Sequence, residues 1–279
     1  MSLASTAHPS PTAPADFVTA WTTWHDALES ARREPHSFLA LTGIHFLTDA
    51  PQRFADAPGS WTTGENGPVV ELADGESLVV DGEEVTGRHV FGVIPERVRL
   101  RAGFGDAVVE LSKRGGQDLL RPLHPENPLR TGYQGTPAFA PDPRWVVQGS
   151  FVPWAEPREL RIDAAVDGIV HTHSSPGVVE FAIDGQELSL IVFDAGGPSG
   201  SLFTVFTDST SGITTYSASR TLHGIQPSPD GRVVLDFTRV SNLQCAYTPF
   251  APCPLAPREN RLPVAIEAGE QIPHGELRG

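Results

Sequence analysis

The chain is poor in several residue types, and each shortage argues against a class of protein. Only two cysteines occur among 279 residues, which is too few for the disulfide framework of a small secreted protein. Lys and Arg number 20 against 34 Asp and Glu, so the net charge is −14. An acidic surface repels phosphate backbones and anionic lipids, so we expect neither nucleic-acid nor membrane binding. No apolar run reaches the length of a transmembrane helix, about 18 residues.

The N-terminus lacks the features of a targeting signal. The stretch MSLASTAHPSPTAPAD has neither a cationic region nor an apolar core. Its small and polar residues predict a flexible tail over residues 1–14. From these features we expect a cytoplasmic protein.

Glycine and proline, by contrast, are abundant, with 27 and 26 residues. This composition is typical of many short strands joined by turns. Strand-length apolar runs follow one another from Val69 onward, and the strongest hairpin signals between them are Asp81-Gly82 and Asp184-Gly185. No helical pattern lies between these runs, which argues against parallel βαβ units. The sequence therefore predicts an all-β, mostly antiparallel fold, either a barrel or a β-sandwich.

One N-terminal amphipathic helix is predicted over residues 15–34. Phe17, Trp21, Trp24 and Leu28 follow at spacings of four, three and four, which places them on one helical stripe, and Pro35 ends the helix. We expect this stripe to pack on the sheet, within a single β-rich domain over residues 15–279. The charged side chains of the helix are expected largely outside the stripe: Asp26, Glu29, Arg32 and Arg33.

Both cysteines lie in one proline-rich stretch near the C-terminus, NLQCAYTPFAPCPLAPRENRLPVAIEAGE. Cys245 and Cys253 are eight residues apart and no second pair exists, so the spacing does not fit a tetrahedral zinc site. Three interpretations are open: a disulfide, a nucleophilic thiol, or two buried thiols in a rigid wall. We favour the wall, since its prolines reduce the backbone freedom that is lost on folding.

Polar residues within apolar surroundings are the candidates for chemistry. His45 interrupts the apolar run LTGIHFL and is the candidate proton carrier, with Asp236 or Cys245 in support. Arginine forks bind carboxylates or phosphates bidentately, so a clamp for an anion is expected from this part of the chain. The expected substrate-binding residues are Arg239, Asn242, Tyr247, Asn260 and Arg261.

Two other groups favour alternative functions. His171 and His173 alternate on a predicted strand, so both face one side, near an exposed strand end where they could bind a metal with a third ligand. Trp61, Trp145 and Trp154 could form an exposed patch in a non-catalytic interaction module. No GxSxG, GxGxxG or GxxxxGK[ST] motif is present.

The segment VLDFTRVSNLQCAYTPFAPCPLAPRENRLPVAIEAGE resembles the signature of the DUF1684 family, bacterial and archaeal proteins of unassigned function. Other similar segments precede it in order, from WTTWHDALESARREPHSFLALTGIHFL through GTPAFAPDPRWVVQGSFVPW to FTDSTSGITTYSASRTL, so that the resemblance spans about residues 20–270. Thr238 and Val240 depart from the family pattern, which has DFNR and a small residue there. The family implies no substrate, cofactor or catalytic residue.

Function must therefore be inferred from the residues. We expect a small-molecule enzyme or ligand binder with its pocket inside the barrel or sandwich. Any reaction is expected to be cofactor-independent acid–base chemistry, such as hydrolysis, isomerisation or cyclisation. The expected partner is a small molecule, with an anion as one option, and exposed strand edges would permit a homodimer.

Overall fold

A computed structural model describes residues 14–196 and 200–273. The tail expected over residues 1–14 lies, apart from Pro14, outside the described residues. The first helix, α1, spans Ala15–Arg33, within one residue of the sequence prediction. A short second helix, α2, spans Pro128–Thr131. In the described part of the chain, no helix is long and apolar enough to cross a membrane.

Seventeen strands are found in the described residues. The first ten are β1 (His45–Phe46), β2 (Gln52–Phe54), β3 (Ala57–Thr62), β4 (Val69–Glu71), β5 (Leu78–Val80), β6 (Glu83–Val85), β7 (Arg88–Val90), β8 (Arg99–Phe104), β9 (Ala107–Arg114) and β10 (Gln117–Leu123). The others are β11 (Val146–Asp163), β12 (Val170–Ile183), β13 (Gln186–Asp194), β14 (Leu202–Phe206), β15 (Arg220–Ile225), β16 (Arg232–Asp236) and β17 (Ser241–Asn242).

These strands form three open, antiparallel sheets. The six-stranded sheet has the order β1-β10-β9-β8-β5-β6 and the four-stranded sheet the order β2-β3-β4-β7. The third has seven strands in the order β16-β11-β12-β13-β14-β15-β17. Every sheet ends in two different edge strands, so the described strands form no closed barrel. The sandwich alternative of the sequence prediction is confirmed.

Two hydrophobic cores hold the sheets together. Apolar side chains of the four- and six-stranded sheets pack around the fully buried Trp61. The seven-stranded sheet has its own core, which includes Phe237 and is covered by Leu262 and Ile266 of the C-terminal segment. The proline-rich stretch therefore covers one face of this sheet, and its role as the wall of a pocket stays a prediction.

Both predicted hairpins are present. Asp184 and Gly185 join β12 to β13, and Asp81 and Gly82 join β5 to β6. All four residues have positive φ values, between 50° and 85°. This backbone matches the two-residue turns that suit the twist of paired strands, and it explains why Asp-Gly identified the turns.

Helix α1 packs differently from the prediction. Phe17, Trp21, Trp24 and Leu28 face the protein and are half-buried, but the fully buried side chains are Glu29 and Arg32. The expectation that these two charges lie outside the packed face was wrong. They are buried because Glu270 of the C-terminal segment binds Arg32 beneath the helix, at 2.5 and 2.9 Å.

Candidate functional site

An arginine-lined cavity lies where the helix, the six-stranded sheet and the C-terminal segment meet. Its volume is about 230 Å³. The C-terminal half of α1 and the following turn form one side, β8, β9 and β10 form the other, and Gln244 closes one end. We call it the arginine cavity. The lining residues are Leu28, Ala31, Arg32, His36, Ser37, Phe38, Leu41, Arg99, Arg101, Glu110, Arg121, Leu123 and Gln244.

Strand register places the charged residues of the arginine cavity side by side. Arg101 on β8 and Arg121 on β10 both lie directly opposite Glu110 on the central strand β9. Residues two apart on a strand face the same side, so Arg99 joins this row. The three arginines thus surround one carboxylate on one face of the sheet.

Glu110 is the shared partner of two of these arginines. Its side chain is buried and accepts hydrogen bonds from Arg121 and, at 3.1 Å, from Nη2 of Arg101. Burial alone would raise the pKa of Glu110, but the attraction and hydrogen bond of Arg121, with contributions from Arg99 and Arg101, together outweigh it and hold the pKa below the ordinary value. Glu110 is therefore ionised at neutral pH.

Positive charge remains in excess around Glu110. Burial, with added repulsion from Arg121 and Arg99, lowers the pKa of nearby Arg114 to about 10. Arg121 is buried, yet Glu110 is its one hydrogen-bond partner among the described residues, and its Nε–H is buried without any. A cavity with such a wall suits a negatively charged guest.

A balanced ionic network adjoins the arginine cavity on the other side of Arg32. Arg32 Nη1 lies 2.7 Å from Glu29 Oε1 and 2.5 Å from Glu270 Oε1. Tyr247, one of the predicted substrate-binding residues, contributes to this network. Its hydroxyl lies 2.8 Å from Thr136 Oγ1, and Arg32 lies over its ring at 5.0 Å. Burial and the charge of Glu270 raise the pKa of Tyr247 far above its usual range.

The same network contains three side chains with the spacing of metal ligands. The ligand atoms of His25, Glu29 and Glu270 lie within 4.8 Å of one another. Arg32 already neutralises the charge between the two carboxylates, and Arg33 lies 3.3 Å from Glu29. A divalent cation would be repelled by these guanidinium groups, so we assign an ion-pair network rather than a metal centre.

The remaining predicted binding residues divide between structural and exposed positions. Asn260 is fully buried and clamps β13 to β14: its amide oxygen accepts from Ile191 N at 2.8 Å, and its amide nitrogen donates to Ile191 O and Val205 O. Asn242 is also buried, and it donates its backbone N–H to Glu270 at 2.7 Å. Arg261 is exposed on the surface.

Asp236 and Arg239 lie together at a second cavity, which we call the Trp24 cleft. Arg239 Nε lies 3.2 Å from Asp236 Oδ2, and its guanidinium is 5.8 Å from the Trp24 ring. The cleft has a volume of about 460 Å³, and its walls include His223 and Ser241. Asp236 also accepts hydrogen bonds from the backbone and hydroxyl of Thr238, the residue at which the family pattern has Asn.

His45, the candidate proton carrier, lies in the six-stranded sheet and lines neither the arginine cavity nor the Trp24 cleft. Its Nε2 is 2.9 Å from Asp56 Oδ1, and its ring stacks on Phe54 at 4.0 Å. Asp56 also accepts a hydrogen bond from Thr42. The half-buried position of His45 is therefore explained by a hydrogen-bonded pair that sequence spacing did not reveal.

The two cysteines are free thiols in contact with each other. Cys253 is buried and Cys245 half-buried, and the Cys245 backbone N–H donates to Cys253 Sγ at 3.3 Å. The hydrogen bond between the side chains lowers the pKa of Cys245 and raises that of Cys253. Cys245 lines neither cavity, so the nucleophile and wall interpretations both stay predictions.

The two alternative sites of the sequence analysis differ from expectation. His171 and His173 do face the same side of β12, but both are buried rather than exposed. His171 Nε2 lies 2.6 Å from Pro252 O, and Arg97 lies 2.9 Å from His173 Nδ1. Burial, followed by the charge of Arg97, lowers the pKa of His173 to about 3. A cation beside His173 disfavours a metal there.

The expected tryptophan patch is absent from the described surface. Trp61 and Trp145 are both buried in cores, and the half-buried Trp154 donates its indole N–H to Ser175. The aromatic content of the sequence did not reveal which of these side chains are covered by other parts of the fold. The hypothesis of an interaction module therefore has no exposed tryptophan patch to support it among the described residues.

Fold and site define an all-β sandwich protein with an N-terminal helix packed on it and a cationic cavity beneath that helix. The chain belongs to the DUF1684 family, whose model, described as a protein of unknown function, matches residues 131–271. The match is shorter than the resemblance over residues 20–270 and includes only Gln244 of the arginine cavity.

Comparison with other proteins adds no function. One similar solved structure is the solution NMR structure of an uncharacterised protein of Haloarcula marismortui, 28% identical, with a TM-score of 0.43. The match covers 51% of this chain and 78% of that one. No curated protein matches the chain.

Proposed function

We propose that this protein binds a small organic anion in the arginine cavity. The observation that supports this most directly is the charge of the wall: Arg99, Arg101 and Arg121 surround the single carboxylate of Glu110. Glu110 is the one hydrogen-bond partner of the buried Arg121 among the described residues and also binds Arg101, so the wall has an excess of positive charge. A bound anion compensates it directly.

The other half of the arginine cavity is apolar. Phe38, Leu41 and Leu123 line it together with Leu28 of α1. Pockets that combine a mostly apolar wall with a few polar groups are typical of small-molecule sites. The volume of about 230 Å³ is below the range of drug-sized pockets, so the ligand is small.

The proposal keeps the anionic partner of the sequence analysis and moves its site. The expected clamp residues Arg239 and Arg261 lie elsewhere, whereas the arginine cavity uses cationic residues of β8 and β10. Acid–base catalysis by His45, Asp236 and Cys245 remains a prediction. The cytoplasmic location and the homodimer also remain predictions.

Anion binding is tested by thermal unfolding at constant ionic strength with phosphate, sulfate, isovalerate or chloride. We expect phosphate or isovalerate to raise the midpoint relative to chloride, because a ligand that binds only the folded state stabilises it. Arg99→Gln should reduce the rise markedly, since Arg99 lines the cavity and makes no hydrogen bond to a described residue.

The matched control is Arg232→Gln, which also removes one arginine but from an exposed position away from the cavity. This variant should keep the full rise. Equal ligand responses in both variants, or no response of the unmodified protein to any of the organic or inorganic anions, would overturn the proposal.

A second candidate is binding of a neutral polar molecule in the Trp24 cleft. It is favoured by the aromatic wall of Trp24 and by the Asp236–Arg239 pair, which offers both acceptors and donors without net charge. Titration with monosaccharides, followed by tryptophan fluorescence, tests it. Saturable quenching that Arg239→Gln removes supports the second site, and a linear response rejects it.

A further inference from the structure

We infer that the ligand of the arginine cavity carries two negative charges on one compact group, as a phosphate monoester does, attached to a short apolar body. This inference rests on the proposed function and names the chemical class of its ligand. It is carried by the number of charges in the cavity wall, by strand register and by the division of the wall into two halves.

The net charge of the cavity wall indicates the charge of the ligand that would balance it. Arg32 is already paired with Glu29 and Glu270, so it is left out of the sum. Three other arginines line the cavity (Arg99, Arg101 and Arg121) and one acid does (Glu110), which leaves 3 − 1 = 2 positive charges. A monoanion would leave one of these charges without a partner, whereas a dianion balances both.

Strand register indicates that the charged group of the ligand is compact. Arg101, Glu110 and Arg121 occupy one cross-strand row in which neighbours start about 5 Å apart. Glu110 separates the two arginines at the backbone, but both guanidinium groups bind its carboxylate and therefore lie close together. Arg99 begins two residues along the same face of β8. Guanidinium groups this close can donate to the several oxygens of one tetrahedral group, whereas an extended dicarboxylate presents its charges at two separate points.

Two of the three guanidinium groups, those of Arg101 and Arg121, are held in place before a ligand binds. Glu110 binds both Arg101 and Arg121, and Arg101 Nη2 also lies 3.5 Å from the backbone oxygen of His36. Arginines that are already oriented lose little side-chain entropy when they bind an anion. Burial is the main cause of the lowered pKa of Arg114, a neighbour of this row, and repulsion by Arg121 and Arg99 adds to it.

The apolar half of the cavity selects the rest of the ligand. Phe38, Leu41 and Leu123 offer no hydrogen-bonding side chains, so a substituent rich in hydroxyl groups would lose its hydration there without compensation. A short branched alkyl or small aryl group fits both this surface and the volume of about 230 Å³.

Isothermal titration calorimetry of the full chain with four probes tests the inference. The probes are isobutyl phosphate, its methyl diester with one charge, isovalerate with one charge, and glutarate with two separated charges. At pH 7.5 and constant ionic strength, we expect isobutyl phosphate to bind at least about tenfold more tightly than each other probe, as for one added charge-assisted hydrogen bond. Below pH 6, protonation of the monoester should remove most of this advantage, since its second pKa is about 6.

Variants separate the cavity from the rest of the surface. Arg99→Gln should bring the affinities for the monoester and the diester within about threefold of each other, because it removes one of the two surplus charges. Arg232→Gln should preserve the difference.

Each outcome has a distinct meaning. Equal binding of monoester and diester overturns the inference but leaves anion binding intact. Tighter binding of glutarate shows a dianion with separated charges and overturns the compact group. If none of the probes binds, the inference and the proposed function both fail.

Discussion

Two buried arginines of this protein, Arg220 and Arg121, differ in how their charges are balanced. Arg220 is 1% exposed and makes four hydrogen bonds, to Asp208 at 2.6 Å and to the carbonyl oxygens of Ile266, Ala268 and Glu270. Arg121 is also buried, but it has the single partner Glu110, which it shares with Arg101. The first arginine is balanced by its own chain and the second is not.

Arg220 and Arg121 also differ in their surroundings. Arg220 holds the segment from Ile266 to Glu270 against β15, whereas Arg121 lies in the wall of the arginine cavity. The Nε–H groups of both side chains are buried without a partner, so this feature does not separate them. The two side chains differ instead in their charge balance and in the presence of an adjoining cavity. A buried arginine with partners from its own chain fixes a fold, and one with too few partners beside a cavity is suited to a ligand.

The strongest way to break this comparison is to remove Arg220. Arg220→Met leaves Asp208 buried without its counter-ion and frees three buried carbonyl oxygens, so we expect a loss of about 3–5 kcal/mol in the free energy of unfolding. Urea denaturation measures it. Arg232→Met, at an exposed position, should change the free energy by less than about 0.5 kcal/mol. Similar small losses in both variants would show that the Arg220 network does not hold the fold.

Arg121→Met should cost less. Glu110 keeps Arg101 as a partner, and the variant lowers the positive charge around the cavity. We therefore expect a loss of about 1–2 kcal/mol in the ligand-free protein, together with loss of stabilisation by phosphate. If Arg121→Met destabilises the protein as much as Arg220→Met, the two arginines have the same structural role and the comparison fails.

Acidification should act on the cavity through Glu110. Its folded pKa is lowered, so it stabilises the protein above the unfolded value, about 4.3, and this contribution disappears as the pH falls through the folded pKa. Unfolding free energies between pH 6 and pH 3 should thus fall less steeply for Glu110→Gln than for the unmodified protein. The exposed control Glu159→Gln should follow the unmodified curve, and an unchanged slope in Glu110→Gln would contradict the assignment.

The smallest effect on stability is expected at Arg99. Arg99 is exposed, and its repulsion of Arg114 is opposed by its attraction to Glu110, so Arg99→Gln should change the free energy of unfolding of the ligand-free protein by less than about 0.5 kcal/mol. The same variant should weaken anion binding. Chemical denaturation at low salt, with and without phosphate, measures both, and a larger loss in the ligand-free variant would mean that Arg99 supports the fold instead.

Local signals in the sequence predicted the elements well. The period of Phe17, Trp21, Trp24 and Leu28 located α1, and the Asp-Gly pairs located two hairpins because positive φ values favour these residues. The same signals failed for burial. Glu29 and Arg32 look like solvent-facing charges, and only the approach of Glu270, more than 230 residues later, explains why they are buried.

The set of residues that line the arginine cavity could not be predicted from the sequence alone. The run RVRLR has the length of a strand, and its alternating arginines indicate a row of positive charge on one face of that strand. That Arg99 and Arg101 face Glu110 and Arg121 depends on the pairing of three strands, and a shift by one residue would send these side chains to the opposite face. Asn260 was predicted to bind substrate, and the structure shows it buried as a clamp between β13 and β14.

The sequence by itself determined an all-β fold with turns at glycine, an N-terminal helix and a stiff, proline-rich C-terminal segment. These features depend on backbone preferences and apolar periodicity, which act over a few residues. Only the tertiary structure decided which charges are buried, which of them are balanced and where a cavity remains. Charge balance depends on distances between residues far apart in the chain, here α1, β8–β10 and the segment around Gln244, and these distances exist only once the sheets have paired.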